Sequence, residues 1–132
     1  MENKHLPHEH GRDTETLLSD LPDPESCIQV AETFSLISDG TRLRILWLLC
    51  HTEDCVSDIA AAVGMSAPAV SHHLRLLRQA GLITSKRAGK EIYYRLADTT
   101  HASLVHRMID DIFDFQCPVP SHTHFHRQEQ TE

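Results

Sequence analysis

At 132 residues, 40% of them hydrophobic and 23% charged, the chain has the size and make-up of one ordinary globular domain. Its longest unbroken apolar run, Ile45 to Cys50, is far shorter than the ~20 residues that cross a bilayer, and the His- and Glu-bearing N-terminus lacks the apolar segment of a secretory signal, so a cytoplasmic protein with no membrane partner is expected. Twelve basic against nineteen acidic residues give a net charge of −7, the wrong sign for binding phosphate if it were spread evenly.

Residues 1–26 contain His5, His8 and His10, seven acidic residues, Pro22 and Pro24, without apolar periodicity, and predict a flexible tail. A domain is predicted over 27–116. Ile28, Ala31, Phe34 and Ile37 mark one face of a first helix that ends at Ser38-Asp39-Gly40. Leu43, Leu46, Trp47 and Cys50 mark a second, for which Thr41 can serve as cap. Cys55 to Val63 reads as a short amphipathic helix stopped by Gly64, and Ser66 then caps another that runs to Gly81, with Pro68 tolerated in its first turn.

On a wheel of 100° per residue, Val70, Leu74 and Leu77 form the buried stripe of that helix and leave Pro68, Ser71, His72, Arg75 and Gln79 outward. Small residues let a backbone approach base edges, and Ser, His and Arg can donate to bases and phosphates, as a recognition helix requires. The stretch from Leu82 to Leu96, with Gly89 at its centre, reads as a hairpin with a basic tip at Lys86, Arg87 and Lys90. Charge follows this order: residues 66–95 hold six basic side chains against Glu91 alone, and the rest of the chain holds six against eighteen acidic ones. A segregated basic block in an acidic chain is the footprint of a DNA-contacting surface. Thr100 to Phe115 gives a last helix with Val105, Met108, Ile109 and Ile112 on its apolar stripe, and residues 117–132 form a tail with His122, His124 and His126. A domain this small does not readily bury the stripes of both its first and last helices, which predicts that they form a two-fold dimer interface. The fold class expected is mainly α with a small β-hairpin: a homodimeric winged helix-turn-helix.

The runs SDGTRLRIL (38–46), DCVSDIA (54–60) and SAPAVSHHLRLLR (66–78), followed by GKEIYYRL (89–96), resemble the ArsR/SmtB family of metal-responsive repressors over residues 28–115. The resemblance implies a homodimer that holds double-stranded operator DNA when metal-free and releases it when an inducer ion binds, derepressing efflux or resistance genes. Arg42, Ser66, Pro68, Ser71, His72, Arg75, Lys86, Arg87, Lys90 and Tyr93 are the DNA-contacting candidates. The inducer expected is a divalent ion, zinc first, with cadmium, cobalt or nickel as alternatives, and no small organic substrate.

Two ligand sets are open. Family thiol sensors that begin the third helix with Cys-Val-Cys-Asp, and zinc sensors with Cys-Val-Gly-Asp, resemble Cys55-Val56-Ser57-Asp58 here; Ser57 removes the second thiolate, Cys55 and Asp58 share a helix face at this spacing, and His5, His8, His10 or Cys27, from the same or the other protomer, could complete a zinc or cadmium site with them. The family's last-helix set falls on Asp98, Thr100, Asp111 and Asp114, with His101 one residue out of register and His106 or Asp110 as substitutes. The competing readings are that Cys55 is a small buried hydrophobe and that the acids are caps and solvated surface. A different class of sensor is carried beside these: relatives that respond to reactive sulfur or oxidants have thiols near the positions of Cys50 and Cys117. An enzyme is not expected, because there is no nucleophile elbow, Gly-rich phosphate loop or HExxH helix.

Overall fold

The computed structural model describes residues 6–8 and 13–114; His5, His10, Cys117 and the histidines of the C-terminal segment lie outside the described residues. The chain divides into two compact units, residues 1–33 and 34–132.

In the first unit, Thr14–Leu17 forms a single helical turn (α1), continued by a 3-10 turn at Leu18–Asp20, where composition predicted no structure. The Thr16 hydroxyl donates to the Asp13 carbonyl at 2.6 Å, a local bond of the kind that closes an isolated turn. Helix α2, Pro24–Ile37, runs across the division between the units at residues 33 and 34 and opens with proline, whose fixed φ and missing N–H suit a first turn. Asp23 precedes it and accepts from the Ser26 hydroxyl at 2.6 Å. The Ser26 side-chain and backbone bonds hold the Asp23 carboxyl below its ordinary range. Ile28 and Val30 on α2 are exposed.

The second unit carries the core. Helix α3 spans Gly40–His51, and its cap is Asp39, not Thr41: the Asp39 carboxylate accepts from the Arg42 N–H at 3.0 Å. The extended backbone at Asp39 puts its side chain over the first turn, whereas Thr41 already lies inside the helix. A strand that the sequence reading lacked, β1 (Asp54–Cys55), follows. Helix α4 is Val56–Val63, ended by Gly64 at φ +70°, a left-handed position that glycine adopts without steric cost. Helix α5 is Ala67–Gln79, with the Ser66 hydroxyl accepting from the Ala69 N–H at 3.3 Å.

Strands β2 (Ile83–Ala88) and β3 (Glu91–Leu96) pair antiparallel from Ile83 opposite Leu96 to Ala88 opposite Glu91, around a two-residue turn with Gly89 at φ +67°. Strand β1 adds on the other edge of β3, Cys55 opposite Tyr93, giving the order β1-β3-β2. The hairpin is thus the outer part of a three-stranded sheet. Helix α6, Thr100–Ile112, starts under a cap from Thr99, whose hydroxyl accepts from the Ala102 N–H at 3.1 Å.

Ile45, Leu46 and Leu49 of α3, Ile59 of α4, Val70, Leu74 and Leu77 of α5, Leu82 just before β2, Ile83 of β2 and Ile109 of α6 are buried together. The stripe expected on α5 is the one observed. On α6 the buried set is Ala102, Val105, His106, Ile109 and Asp110, and Ile112, expected in the stripe, is 70% exposed. No helix among the described residues is long and apolar enough to cross a membrane.

Candidate nucleic-acid interface and metal site

The predicted outward residues of α5 are outward. Pro68, Ser71, His72, Arg75 and Gln79 are exposed, as is the capping Ser66. The Arg75 guanidinium lies 2.8 Å from His72 Nδ1. Arginine has only donors, so Nδ1 accepts and the neutral ring keeps its N–H at Nε2. The pair therefore offers donors only at its outer edge, suited to guanine or phosphate acceptors. The next residue, His73, is half-buried, and its Nδ1 accepts from Arg42 Nη1 at 3.2 Å.

Arg42, a DNA-contact candidate, is engaged within the fold. Its Nε donates to the Leu36 carbonyl at 2.7 Å, and with the His73 bond this makes it a half-buried strut from α3 to α5. Its charge and its N–H also hold the Asp39 carboxyl below the ordinary carboxylate range, the N–H bond being the larger cause.

The hairpin presents Lys86, Arg87 and Lys90 to solvent, with Tyr93 half-buried on β3. Arg78 at the end of α5 donates to the Ser85 hydroxyl at 3.3 Å, which ties the recognition helix to the base of the hairpin. The basic tip of the hairpin and the exposed face of α5 are thereby held in one frame.

Within the second unit, neither Cys55 with Asp58 nor the last-helix acids with His101 form a converging group of three. Cys55 is buried at the cap position of α4 and Asp58 is exposed on its first turn; they do not share a helix face as the spacing suggested, because Cys55 is still in extended, strand-paired backbone. His8 is exposed. On and around α6, Asp98, His101, Asp111 and Asp114 are all exposed, and Asp114 sits beyond the helix at φ +53°. Cys50, the described half of the alternative thiol pair, is fully buried in the core.

Among the described residues, one group of three metal-ligating side chains converges: His51, His106 and Asp110, with donor atoms within 4.8 Å of one another. His106 and Asp110 are one turn apart on α6, and His51 is the last residue of α3. His51 Nε2 lies 3.0 Å from Asp110 Oδ1, and His106 Nε2 lies 3.0 Å from Asp110 Oδ2. The two rings meet edge to face at 5.2 Å between centroids. His51 Nδ1 is 2.7 Å from the Trp47 carbonyl, an acceptor, so Nδ1 carries the proton and Nε2 is the nitrogen turned to the carboxylate. Two imidazoles and a carboxylate are a donor set for borderline divalent ions. Sequence reading named His106 and Asp110 only as substitutes and missed His51. The available signal was two polar residues at i, i+4 in the apolar stripe of α6.

The match to known proteins follows the same segments. The model of the bacterial regulatory protein, arsR family, matches residues 39–85, which run from the Asp39 cap through α5 into β2. The HTH-type transcriptional regulator KmtR of Mycobacterium tuberculosis is 39% identical over 107 residues, covering 81% of this chain and 79% of that protein. A cadmium resistance transcriptional regulatory protein CadC homolog from Staphylococcus aureus is 38% identical over 81 residues, 61% of this chain and 67% of that protein. In structure, the homodimeric winged helix-turn-helix DNA-binding domain of Mb0332 from Mycobacterium bovis aligns with a TM-score of 0.58 at 28% identity, over 83% of this chain and 91% of that one. With the helix pair α4–α5, the attached hairpin and this degree of identity, the chain belongs to the ArsR/SmtB family of transcriptional regulators, a family of DNA-binding winged helix-turn-helix proteins and not of enzymes.

Proposed function

We propose that the protein is a homodimeric repressor that holds a palindromic operator through paired α5 helices and hairpins, and lets go of it when a divalent metal ion binds. Support for DNA binding comes from one observation above all: the exposed polar face of α5 and the lysines and arginine of the hairpin tip form the basic block of an otherwise acidic chain. Ser71, His72 and Arg75 enter the major groove; Ser66 and Pro68 bring the start of α5 against it; Lys86, Arg87, Lys90 and Tyr93 take backbone phosphates. Arg42 acts from behind by bracing α3 on α5. Support for a two-fold assembly comes from the homodimeric relative and from Leu104, Ile112 and Phe113, exposed on and just after α6.

Support for an ion response comes from the cadmium resistance regulator among the relatives and from the buried His-Asp group. The bound ion supplies positive charge and fixed coordination geometry to side chains of different elements. DNA requires one separation of the two α5 helices, about one turn of duplex. Ligands drawn together in another dimer geometry weaken operator binding by a coupling of about 1–3 kcal/mol, and by linkage DNA weakens ion binding equally.

The test is to select an operator from random duplex DNA with the reduced, metal-free protein, then add zinc, cobalt, nickel, cadmium and a persulfide donor in parallel. Release by a divalent ion, reversed by chelator, is expected. Release by the persulfide donor alone would move the sensor to Cys50 and Cys117, and failure to select any operator would overturn the repressor reading.

A further inference from the structure

We propose that His51, His106 and Asp110 form the sensory metal site, taking a first-row divalent ion of the zinc, cobalt or nickel class on the two Nε2 atoms and the carboxylate. This rests on the metal-response reading above and locates it on His106 and Asp110, which the last-helix set held only as substitutes, together with His51, which neither predicted set includes.

The first reason is the orientation of His51. Its Nδ1–H is committed to the Trp47 carbonyl at 2.7 Å, the outer-shell bond that typically fixes the tautomer and aim of a metal-ligating imidazole. A neutral ring so anchored points the Nε2 lone pair at Asp110 Oδ1, 3.0 Å away. Two lone pairs at that distance repel, so the arrangement calls for a cation between them: a proton on the ring, or a metal ion. Asp110 meets His106 Nε2 on its other oxygen, also at 3.0 Å, so one carboxylate stands between two imidazole nitrogens that can both turn to a shared ion.

The second reason is burial. His106 and Asp110 are the two buried polar or charged residues of the described chain, and the side chain of His51 is 6% exposed. Three ionisable groups in a core shared with Val105 and Ile109 cost stability that apolar residues at the same positions would not. A ligand that uses all three accounts for their presence together.

The third is fit. Donors around an ion with bonds of about 2.0–2.1 Å stand roughly 3.3 Å apart in a tetrahedron; these lie within 4.8 Å of one another, so side-chain rotation closes the set. Three protein donors leave one or more positions for water. The absence of a thiolate favours zinc, cobalt or nickel over softer ions.

Position supplies the consequence. His51 ends α3 and is followed within three residues by β1, which pairs with β3, and α6 leaves the sheet just after β3. Drawing His51 and α6 onto one ion fixes the two helices that flank the root of the hairpin, and α6 also carries the apolar residues proposed for the dimer. Ion binding is thereby coupled to the separation of the DNA-reading elements.

The experiment uses the full chain, chelator-stripped and reduced. Cobalt(II) is titrated as an optical probe and zinc competed against it, for the wild type, Asp110→Asn, His106→Gln, Asp98→Asn and Cys55→Ser. The expected result is one cobalt per protomer with visible d–d bands and no thiolate charge-transfer band, weakened at least about tenfold by Asp110→Asn and His106→Gln and unchanged by the other two. Should the first two variants fold poorly, histidine ring 15N spectra of the wild type with zinc decide independently: Nε2 of His51 and His106 shift on zinc addition. Ring shifts confined to other histidines, or cobalt affinity lost only in Asp98→Asn or Cys55→Ser, would overturn the site. Operator release is read in parallel. Wild-type release by zinc that persists in Asp110→Asn overturns this site and leaves the metal-response reading standing; zinc held by the triad without release in the wild type overturns its sensory role along with that reading.

Discussion

At the scale of single residues, position on the DNA-reading surface determines what a substitution does. Arg75 extends from the outer face of α5 with His72 as its partner, so Arg75→Ala is expected to relax base discrimination, costing about 1–3 kcal/mol on the selected operator and little on random duplex. Lys90, exposed at the hairpin turn, is proposed to take backbone phosphate alone, and Lys90→Ala is expected to weaken all sequences alike and reduce the salt slope by about 0.9. Fluorescence anisotropy across a salt series on both DNAs separates the two, and an unchanged slope in Lys90→Ala would sink the wing assignment. Asp39 gives a pH signature. Its carboxyl titrates below the ordinary 3.8, chiefly through the Arg42 N–H bond, so its capping contribution is present above that value and is lost as pH falls through the depressed one. Asp39→Ala should therefore lower the melting temperature at pH 6, and the gap to wild type should narrow in acid below pH ~3.8; a constant gap in thermal melts would show that the cap does not depend on ionisation.

Among the elements, α5 separates stability from recognition by face. Leu74 is fully buried between α5 and the core, and Leu74→Ala is expected to cost about 2–5 kcal/mol through lost burial and a residual cavity. Ser66→Ala removes the hydroxyl that accepts from Ala69 and should cost about 1 kcal/mol. Ser71→Ala, on the exposed face, should leave the urea midpoint in place and lower operator affinity. Urea unfolding beside anisotropy tests all three, and a Ser71→Ala that shifts the midpoint as Leu74→Ala does would mean that the faces are misassigned. The element most poorly legible in the sequence was β1. Two residues carry no period-2 pattern, and Cys55 looked like the start of a helix, yet pairing with Tyr93 keeps it extended, which is why Cys55 and Asp58 part company.

For the whole molecule, the proposed dimer governs affinity. Leu104 and Ile112 are exposed on α6 at 58% and 70%, so Leu104→Glu with Ile112→Glu should leave the monomer fold intact and, by separating the protomers, reduce operator affinity by roughly 10²–10⁴, the range over which linked sites reinforce each other. Sedimentation velocity with anisotropy checks this, and an unchanged dimer would place the interface elsewhere.

Local pattern alone determined the order of the helices α2 to α6, the buried stripe of α5, the basic hairpin and the family resemblance. Each of these is written within a few neighbouring residues: Val70, Leu74 and Leu77 repeat at helical spacing, and Gly89 with its β-branched and aromatic flanks specifies a turn between strands. Tertiary structure decided which polar residues meet. His106 and Asp110 are an i, i+4 pair that any helix wheel shows, but His51 stands 59 residues from Asp110 in sequence, and only the packing of α3 against α6 brings its Nε2 to that carboxylate. The same holds for Arg42, a DNA-contact candidate in the sequence, whose guanidinium packing directs to the Leu36 carbonyl and His73. A hydrophobic stripe repeats locally because every turn of a helix faces the same core, whereas a ligand set of three side chains has no period and comes into being only when separate elements pack.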